Sequence, residues 1–314
     1  MNKSSNYTFI IRKNKKNKIF NRMGFSIAAL PEYVDQSRME LIGKAFLDGK
    51  TAGLVNLEVG VNQKTALNLI NTAAVLQDGA NCSWSAQGDV TLTQRNLEPV
   101  FVKVNMSLCD KDLLKKYASH EVKMAAGKET LPFEAKIMEE VTKSIAEQIE
   151  KKLWQGDTGL SLKGYLDILK ADGTVDARSN ASAYNAIKTV YNKLDPAIVM
   201  KEDTVIFVGE DDYRAFIQDL VAANLYHFAP DYKEGEYVLP GTSVRVIAVA
   251  GLTGTSAVVG GQLSNFFYGV DAADDAQTLD VWYSKDAREF RIAAGFSMAA
   301  QIARPDMVAV VKNS

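Results

Sequence analysis

TLPFEAKIMEEVTKSIAEQIEKKLWQG, running from Thr130 to Gly156, is the stretch on which the reading of this chain turns. Phe133, Ile137, Met138, Val141, Ile145, Ile149 and Leu153 recur every three or four residues, so they share one face of a helix. Ile137, Val141, Ile145, Ile149 and Leu153 form the core-facing stripe of that face. Glu134, Lys136, Glu139, Glu140, Lys143, Glu147 and Lys151 fill the other faces. Pro132 suits a first turn, where its missing N–H would be unpaired anyway, and Thr130 suits the capping position. Gly156 fits a left-handed stop, and Lys151 and Lys152 put positive charge at the negative end of the helix dipole. The spacing predicts one helix over about 131–155, roughly 35 Å long. Periodicity alone describes a core helix of any large domain, and the flanking sequence has to narrow the choice.

Upstream, residues 32–50 predict a short amphipathic helix closed by Gly49, and Leu54–Val61 a strand. Ala66–Leu76 fits neither period. Residues 77–89, rich in Gly, Asn, Asp and Ser, predict an exposed loop. Val90–Arg95 alternates, and Val100–Leu108 alternates without fault, with Val100, Val102, Val104, Met106 and Leu108 on one side, which predicts a half-buried strand. It leads into a short helix over Asp110–Tyr117. Downstream of Gly156 the pattern changes to helices over Ser182–Leu194 and Asp211–Asn224 among strands. The strands are Thr204–Val208, Ser243–Val249, Ser256–Val259, Thr278–Ser284, Glu289–Phe296 and Met307–Lys312. The fold class is α+β, with a mixed sheet in the C-terminal half.

Composition excludes several functions. The chain has 314 residues, 47% apolar and 24% charged, which is the balance of a globular protein able to bury a sizeable core. No apolar run approaches the ~20 residues that span a bilayer, and no secretory signal is expected. Two cysteines, Cys82 and Cys109, point to a reducing compartment rather than a disulfide framework. Two histidines, His120 and His227, cannot build a multi-histidine metal site. Gly251-Leu-Thr-Gly254-Thr-Ser256 lacks the lysine and spacing of a phosphate loop and predicts a turn between strands. The acidic pairs Glu139-Glu140, Asp211-Asp212 and Asp274-Asp275 sit where helix starts, loops and solvated faces are expected. No catalytic constellation, cofactor fingerprint or metal site is predicted. Charge is uneven: residues 1–22 carry seven Lys or Arg and no acid, and removing them leaves 29 basic against 38 acidic residues, a net charge of −9.

Three places carry a resemblance. Val102-Lys-Val-Asn-Met-Ser107-Leu-Cys-Asp-Lys-Asp-Leu113-Leu114 looks like a strand leading into a short helix ahead of a spine helix. Phe133 to Asp157, with Thr158-Gly159 and Lys163-Gly164-Tyr165-Leu166, looks like that spine helix and its glycine-containing turn. Pro240-Gly241-Thr-Ser-Val-Arg-Val, Ala257-Val-Val-Gly260 and Ala303-Arg-Pro305-Asp306-Met-Val-Ala309-Val look like closing strands. In order and spacing, over roughly residues 30–312, the chain resembles the major capsid protein of tailed bacteriophages, the Hong Kong 97-type shell fold. It departs from the family pattern where Gly261-Gln262 follows Gly260, in the poorly marked hairpin before residue 100, and in lacking a long helical scaffolding segment ahead of the body. The family's inter-subunit crosslink is not carried over to Lys64.

The resemblance implies a basic N-terminal arm (1–35), an extended loop and peripheral domain with the spine helix (36–164), an axial domain (165–300) and a C-terminal strand returning to the peripheral domain (301–314). It implies a structural, non-enzymatic shell protein of the virion, made in the bacterial host cytoplasm and self-assembling into pentamers and hexamers around double-stranded DNA. Portal and scaffolding proteins are the partners it adds, and no cofactor or membrane is involved. Arg12, Lys13, Lys15, Lys16, Lys18 and Arg22 are the candidate arm residues. Three readings of the arm stay open: non-specific contact with packaged DNA, a solvated tail or untranslated stretch ahead of Met23, and a bridge to a neighbouring subunit anchored by Tyr7, Phe9, Ile10 and Ile11. An encapsulin-like nanocompartment shell is the nearest alternative function. A soluble α/β enzyme, resting only on the strand–Gly209–helix unit, is the other.

Overall fold

The computed structural model describes residues 29–76, 87–125, 132–178, 182–224, 235–271 and 279–313. The arm residues therefore lie outside the described residues, as do Thr130 and most of the expected 77–89 loop. The described residues begin with helix α1 (Ala29–Leu47) and a short strand β1 (Asn56–Val59). A hairpin of β2 (Thr65–Ala73) and β3 (Asp89–Leu97) follows, then β4 (Val100–Cys109), α2 (Asp110–Ala125) and the long α3 (Phe133–Gln155). Pro132 stands just outside the first turn of α3 instead of within it, because its ψ of 150° is extended.

Met138, Val141, Ile145, Ile149 and Leu153 of α3 are buried and Ile137 is half-buried, while Glu139, Glu140, Lys143 and Glu147 are exposed. Gly156 ends the helix with φ +69°, and a Cβ there would meet the Asp167 carboxylate, so the stop requires glycine. Lys152 then pairs with Asp157 at 2.5 Å, and Asp157 caps the following 3-10 turn by accepting from the Gly159 N–H at 2.9 Å.

The remaining chain gives α4 (Tyr165–Ala171), β5 (Val175–Ala177), α5 (Ala183–Lys193), α6 (Pro196–Val199), β6 (Thr204–Gly209) and α7 (Glu210–Ala222). It then adds β7 (Glu236–Val238), β8 (Arg245–Val249), β9 (Ala257–Gln262), β10 (Phe266–Asp271), β11 (Leu279–Ser284), β12 (Glu289–Ile302) and β13 (Ala309–Lys312). One sheet runs β1-β10-β12-β11, with β4 on the other edge of β12; a second runs β5-β13-β9-β6-β8-β7. The second sheet is mixed, with β6 parallel to β8 and β5 parallel to β13 among antiparallel pairs.

Strand pairing crosses the boundaries that the resemblance implied. Residues 266–302 pair with β1 and β4, outside the expected axial block, and β13 pairs with β9 and β5 instead of returning to the sheet of β4. The reason is pairing at a distance: β12 is one 14-residue strand, not the eight expected. Its first half takes β11, its second half β10, and β4 runs along its other edge.

Three other differences have local causes. Strand β2 fits no period because the hairpin has no core side: Ala66, Asn68, Ile70 and Thr72 are exposed and Leu67 and Leu69 only half-buried. Helix α2 runs eight residues past Tyr117, since Val122 and Met124 there face outward and leave no apolar stripe to read. In β6, by contrast, all six residues are buried. Val205 and Phe207 face the core shared with α3, and Ile206 and Val208 face a second core under α5 and α7.

Ile145 is 5% exposed in the middle of α3. Ile145→Asp should cost several kcal/mol by burying an unpaired charge, and soluble yield should collapse. Lys143→Ala, on the exposed side, should change stability by less than ~0.5 kcal/mol. Thermal melts of the two variants check the assignment, and equal tolerance would show that the face is wrong.

Candidate functional site

The last two turns of α3 carry two large polar-tipped side chains, Glu150 and Trp154, on the same arc as Ile149 and Leu153. They meet the turn that follows α1. Thr51 donates its N–H to Glu150 Oε2 at 3.1 Å and its hydroxyl to Oε1, and the hydroxyl accepts from Trp154 Nε1 at 2.7 Å. All three residues are buried. Burial acts most strongly on the Glu150 carboxyl and pushes its pKa above the ordinary 4.5, against the opposing pull of the Thr51 hydrogen bonds. The backbone closes tightly here. A Cβ on Gly251 would stand 2.3 Å from the Trp154 ring, and Gln155 Nε2 donates to the Gly251 carbonyl at 2.8 Å. Gly251–Ser256 is thus a turn between β8 and β9 whose glycine lets the chain reach α3.

Trp154 is also where the two sheets join. Its ring lies 4.9 Å from Phe207 of the six-stranded sheet, 5.2 Å from Tyr165 of α4 and 6.2 Å from Phe266 of the five-stranded sheet. Tyr165 donates its hydroxyl to the Phe267 carbonyl at 3.1 Å. The Tyr165 phenol is fully enclosed, and burial pushes its pKa well above the usual tyrosine value.

Two surfaces stand apart from this junction. The β2–β3 hairpin is fixed at its root: Leu97 is buried with Val61 and Ala299, and Gln301 Nε2 and Arg304 Nη2 donate to the carbonyls of Asn96 and Ile70. Beyond the root, Ile70 pairs with Leu92 and Thr72 with Val90, which sets Ile70, Leu92 and Val90 on one exposed face. At the far end of β4, a cleft of about 540 Å³ opens between α2 and α3, with Met106, Leu108, Phe133, Ile137 and Val141 in its walls.

The residues considered for chemistry do not assemble. Glu139 and Glu140 are exposed on α3. Asp211 accepts from the Gly254 N–H at 3.1 Å, and Asp212 pairs with Arg178 at 2.9 Å, so both brace the start of α7. Cys109 is exposed, and His120 lies buried beside Phe133. Cys82, His227 and Asp274-Asp275 lie outside the described residues. Among the described residues, no three His, Cys, Asp or Glu side chains are grouped to hold a metal. None of their helices is long and apolar enough to cross a membrane. The sequence reading missed Glu150, Thr51 and Trp154. The available signal was Glu150 itself, a charge set on the apolar arc of α3.

No sequence-family profile matches the chain, and no curated protein does. Solved structures do. The satellite phage P4 procapsid with its size determination protein aligns over 90% of this chain and 95% of its own, at 12% identity and TM-score 0.59. The chain has the phage-capsid shell fold. The capsid of an empty GTA particle aligns over 86% and 90% at 9% identity and TM-score 0.53. The same fold appears in the holo-SrpI encapsulin complex of Synechococcus elongatus, over 83% and 86% at 12% identity and TM-score 0.53. Within this shell fold, α3 and its Trp154 junction are the framework, and the hairpin and cleft are the surfaces left open.

Because the Glu150 pKa is raised in the folded state, its contribution is fully present below about 4.5 and is lost as pH rises through the folded value. Glu150→Gln keeps an acceptor for Thr51 and removes the titration. Its melting temperature relative to wild type should therefore be highest above the folded pKa and should fall steadily as pH is lowered toward 4.5. A pH-independent difference would show that Glu150 does not titrate differently in the folded chain.

Proposed function

We propose that this chain is the major capsid protein of a tailed phage, a structural subunit that self-assembles through pentamers and hexamers into an icosahedral head around double-stranded DNA. The observation that carries this is the near end-to-end match to the P4 procapsid chain, 90% of one and 95% of the other. The exposed hairpin supports it: a two-stranded ribbon with apolar residues open to solvent is marginal alone and gains stability only against a partner. In this reading the five-stranded sheet, α3 and the hairpin form the periphery of each subunit, and the six-stranded sheet lies toward the symmetry axes. Portal and scaffolding proteins are its partners, and synthesis takes place in the host cytoplasm before incorporation into the virion.

An encapsulin-like compartment is the second reading, favoured by the match to the holo-SrpI complex. Cargo separates the two. Negative-stain microscopy of the protein, alone or with a scaffold, should show tubes, capsomers or shells, and a strictly monomeric species at high concentration would sink both readings. Native particles that hold double-stranded DNA support the phage head, and particles that hold a cargo enzyme and no genome support the compartment.

The arm fits the phage reading as a polycation. Seven positive charges per chain, repeated over many copies, offer counter-charge to DNA that weakens steeply with salt through counterion release. Intact mass of native particles first establishes whether residues 1–22 are retained. Replacing Lys13, Lys15, Lys16 and Lys18 with Gln should then leave assembly intact and lower DNA retention at raised salt. Unchanged retention removes the DNA role, and lost assembly assigns the arm to a neighbouring subunit.

A further inference from the structure

One stripe of α2 mixes charge with a buried imidazole. Leu113, Lys116, His120 and Lys123 recur at helical spacing, and all four line the cleft between α2 and α3. Lys116 and Lys123 are exposed, Lys136 adds a third ammonium from α3, and Glu140 is the one acid in the walls. Residues 23–314 carry a net charge of −9, so a cleft with three lysines against one acid runs counter to the balance of the body. Beneath this charge the floor is apolar, with Phe133, Val141 and Ile292 buried and Leu108 and Ile137 half-buried.

His120 stands between the two environments. It is 5% exposed, its ring centre lies 5.4 Å from that of Phe133, and neither Nδ1 nor Nε2 has a hydrogen-bond partner among the described residues. An imidazole always offers at least one N–H, and a buried donor without an acceptor is costly. Such a group calls for an explanation, and the lysines on either side of it point to one.

We propose that this cleft binds an amphipathic anion, with its apolar tail on the floor formed by Phe133, Ile137 and Val141 and its acidic head at the wall where His120 lies between Lys116 and Lys123. The spacing suits one head group: Lys116 and Lys123 are separated by ~10 Å of helix rise, with His120 near the midpoint. The volume of about 540 Å³ is that of a small-molecule site. An inorganic anion would leave the apolar floor wet, and a neutral apolar ligand would leave the lysines and His120 unanswered. Only a ligand with both parts matches both halves of the wall. Glu140 opposes the head, and its sign gives the proposal a second handle.

The test titrates full-length protein calorimetrically with dodecanoate below its micelle concentration, and measures co-sedimentation with phosphatidylglycerol or phosphatidylcholine vesicles. Dodecanoate should bind saturably, one molecule per chain, whereas acetate and dodecanol at the same concentrations should not. Lys116→Gln with Lys123→Gln should weaken binding about tenfold, and Glu140→Gln should tighten it about twofold. All three side chains are exposed, so the melting temperature without ligand should hold and report that the fold is intact. His120 is read separately by the nitrogen resonances of labelled histidine: dodecanoate should shift the signal that is missing in His120→Phe, and dodecanol should not. Co-sedimentation with phosphatidylglycerol alone, lost in the double lysine variant, assigns the head to a lipid; dodecanoate binding without it assigns a free amphiphile. If neither dodecanoate nor the anionic vesicles bind, or if binding ignores the double variant, the site is overturned. Equal binding of acetate or dodecanol would overturn the amphipathic class.

Discussion

The contact on which the rest of the structure depends is the burial of Trp154 at the C-terminal end of α3. One ring touches Phe207 from the six-stranded sheet, Phe266 from the five-stranded sheet and Tyr165 from the helix that follows. The indole N–H would be orphaned in so apolar a place, and Thr51 accepts it. Thr51 in turn donates to Glu150, so the turn after α1, the end of α3 and the closure of both sheets are fastened at one point. The glycines at 156 and 251 belong to the same arrangement. Each stands where a Cβ would collide with a neighbouring side chain, and each lets backbone approach the helix end.

Strand β6 and the separate β2–β3 hairpin differ in how much of each face is covered, and that difference separates framework from surface. Strand β6 is covered on both faces and reads as a continuous apolar run. Beyond its buried root at Leu97 the hairpin is not fully covered on either face, and Ile70, Val90 and Leu92 stay exposed. The cleft beside α2 has the opposite shape, with apolar side chains and lysines together in its walls and a buried imidazole that has no hydrogen-bond partner among the described residues. A single subunit so built keeps part of its hydrophobic and hydrogen-bonding free energy unrealised. In the proposed shell, association of copies would realise it, and many modest contacts repeated by symmetry would hold the particle more strongly than any one of them.

Identity to the solved shell structures is only 9% to 12% among those compared, yet the alignments run nearly end to end. Packing explains how this is possible. A core tolerates wide substitution when volume and patterning are kept, so the spacing of apolar positions can persist after the residues themselves have changed. The same argument explains why the fold alone does not separate a genome container from a compartment for enzymes.

The sequence by itself determined the elements with a one-sided environment. The stripe on α3, the alternation of Val100–Leu108 and the Gly156 stop were legible because each residue's period reports which side is dry. The order of those elements was enough to bring out the shell resemblance. Tertiary structure decided the rest. β2 showed no clean period because neither of its faces is fully buried, and α2 read as short because its last two turns bury little apolar surface. The division of strands between sheets depended on β12, whose 14 residues pair with β4, β10 and β11 across long separations in sequence. Glu150 and His120 acquired their meaning only from Thr51 and Phe133, brought to them from other elements of the chain. Local periodicity records whether a side chain is buried; which atoms surround it is settled when distant segments pack together.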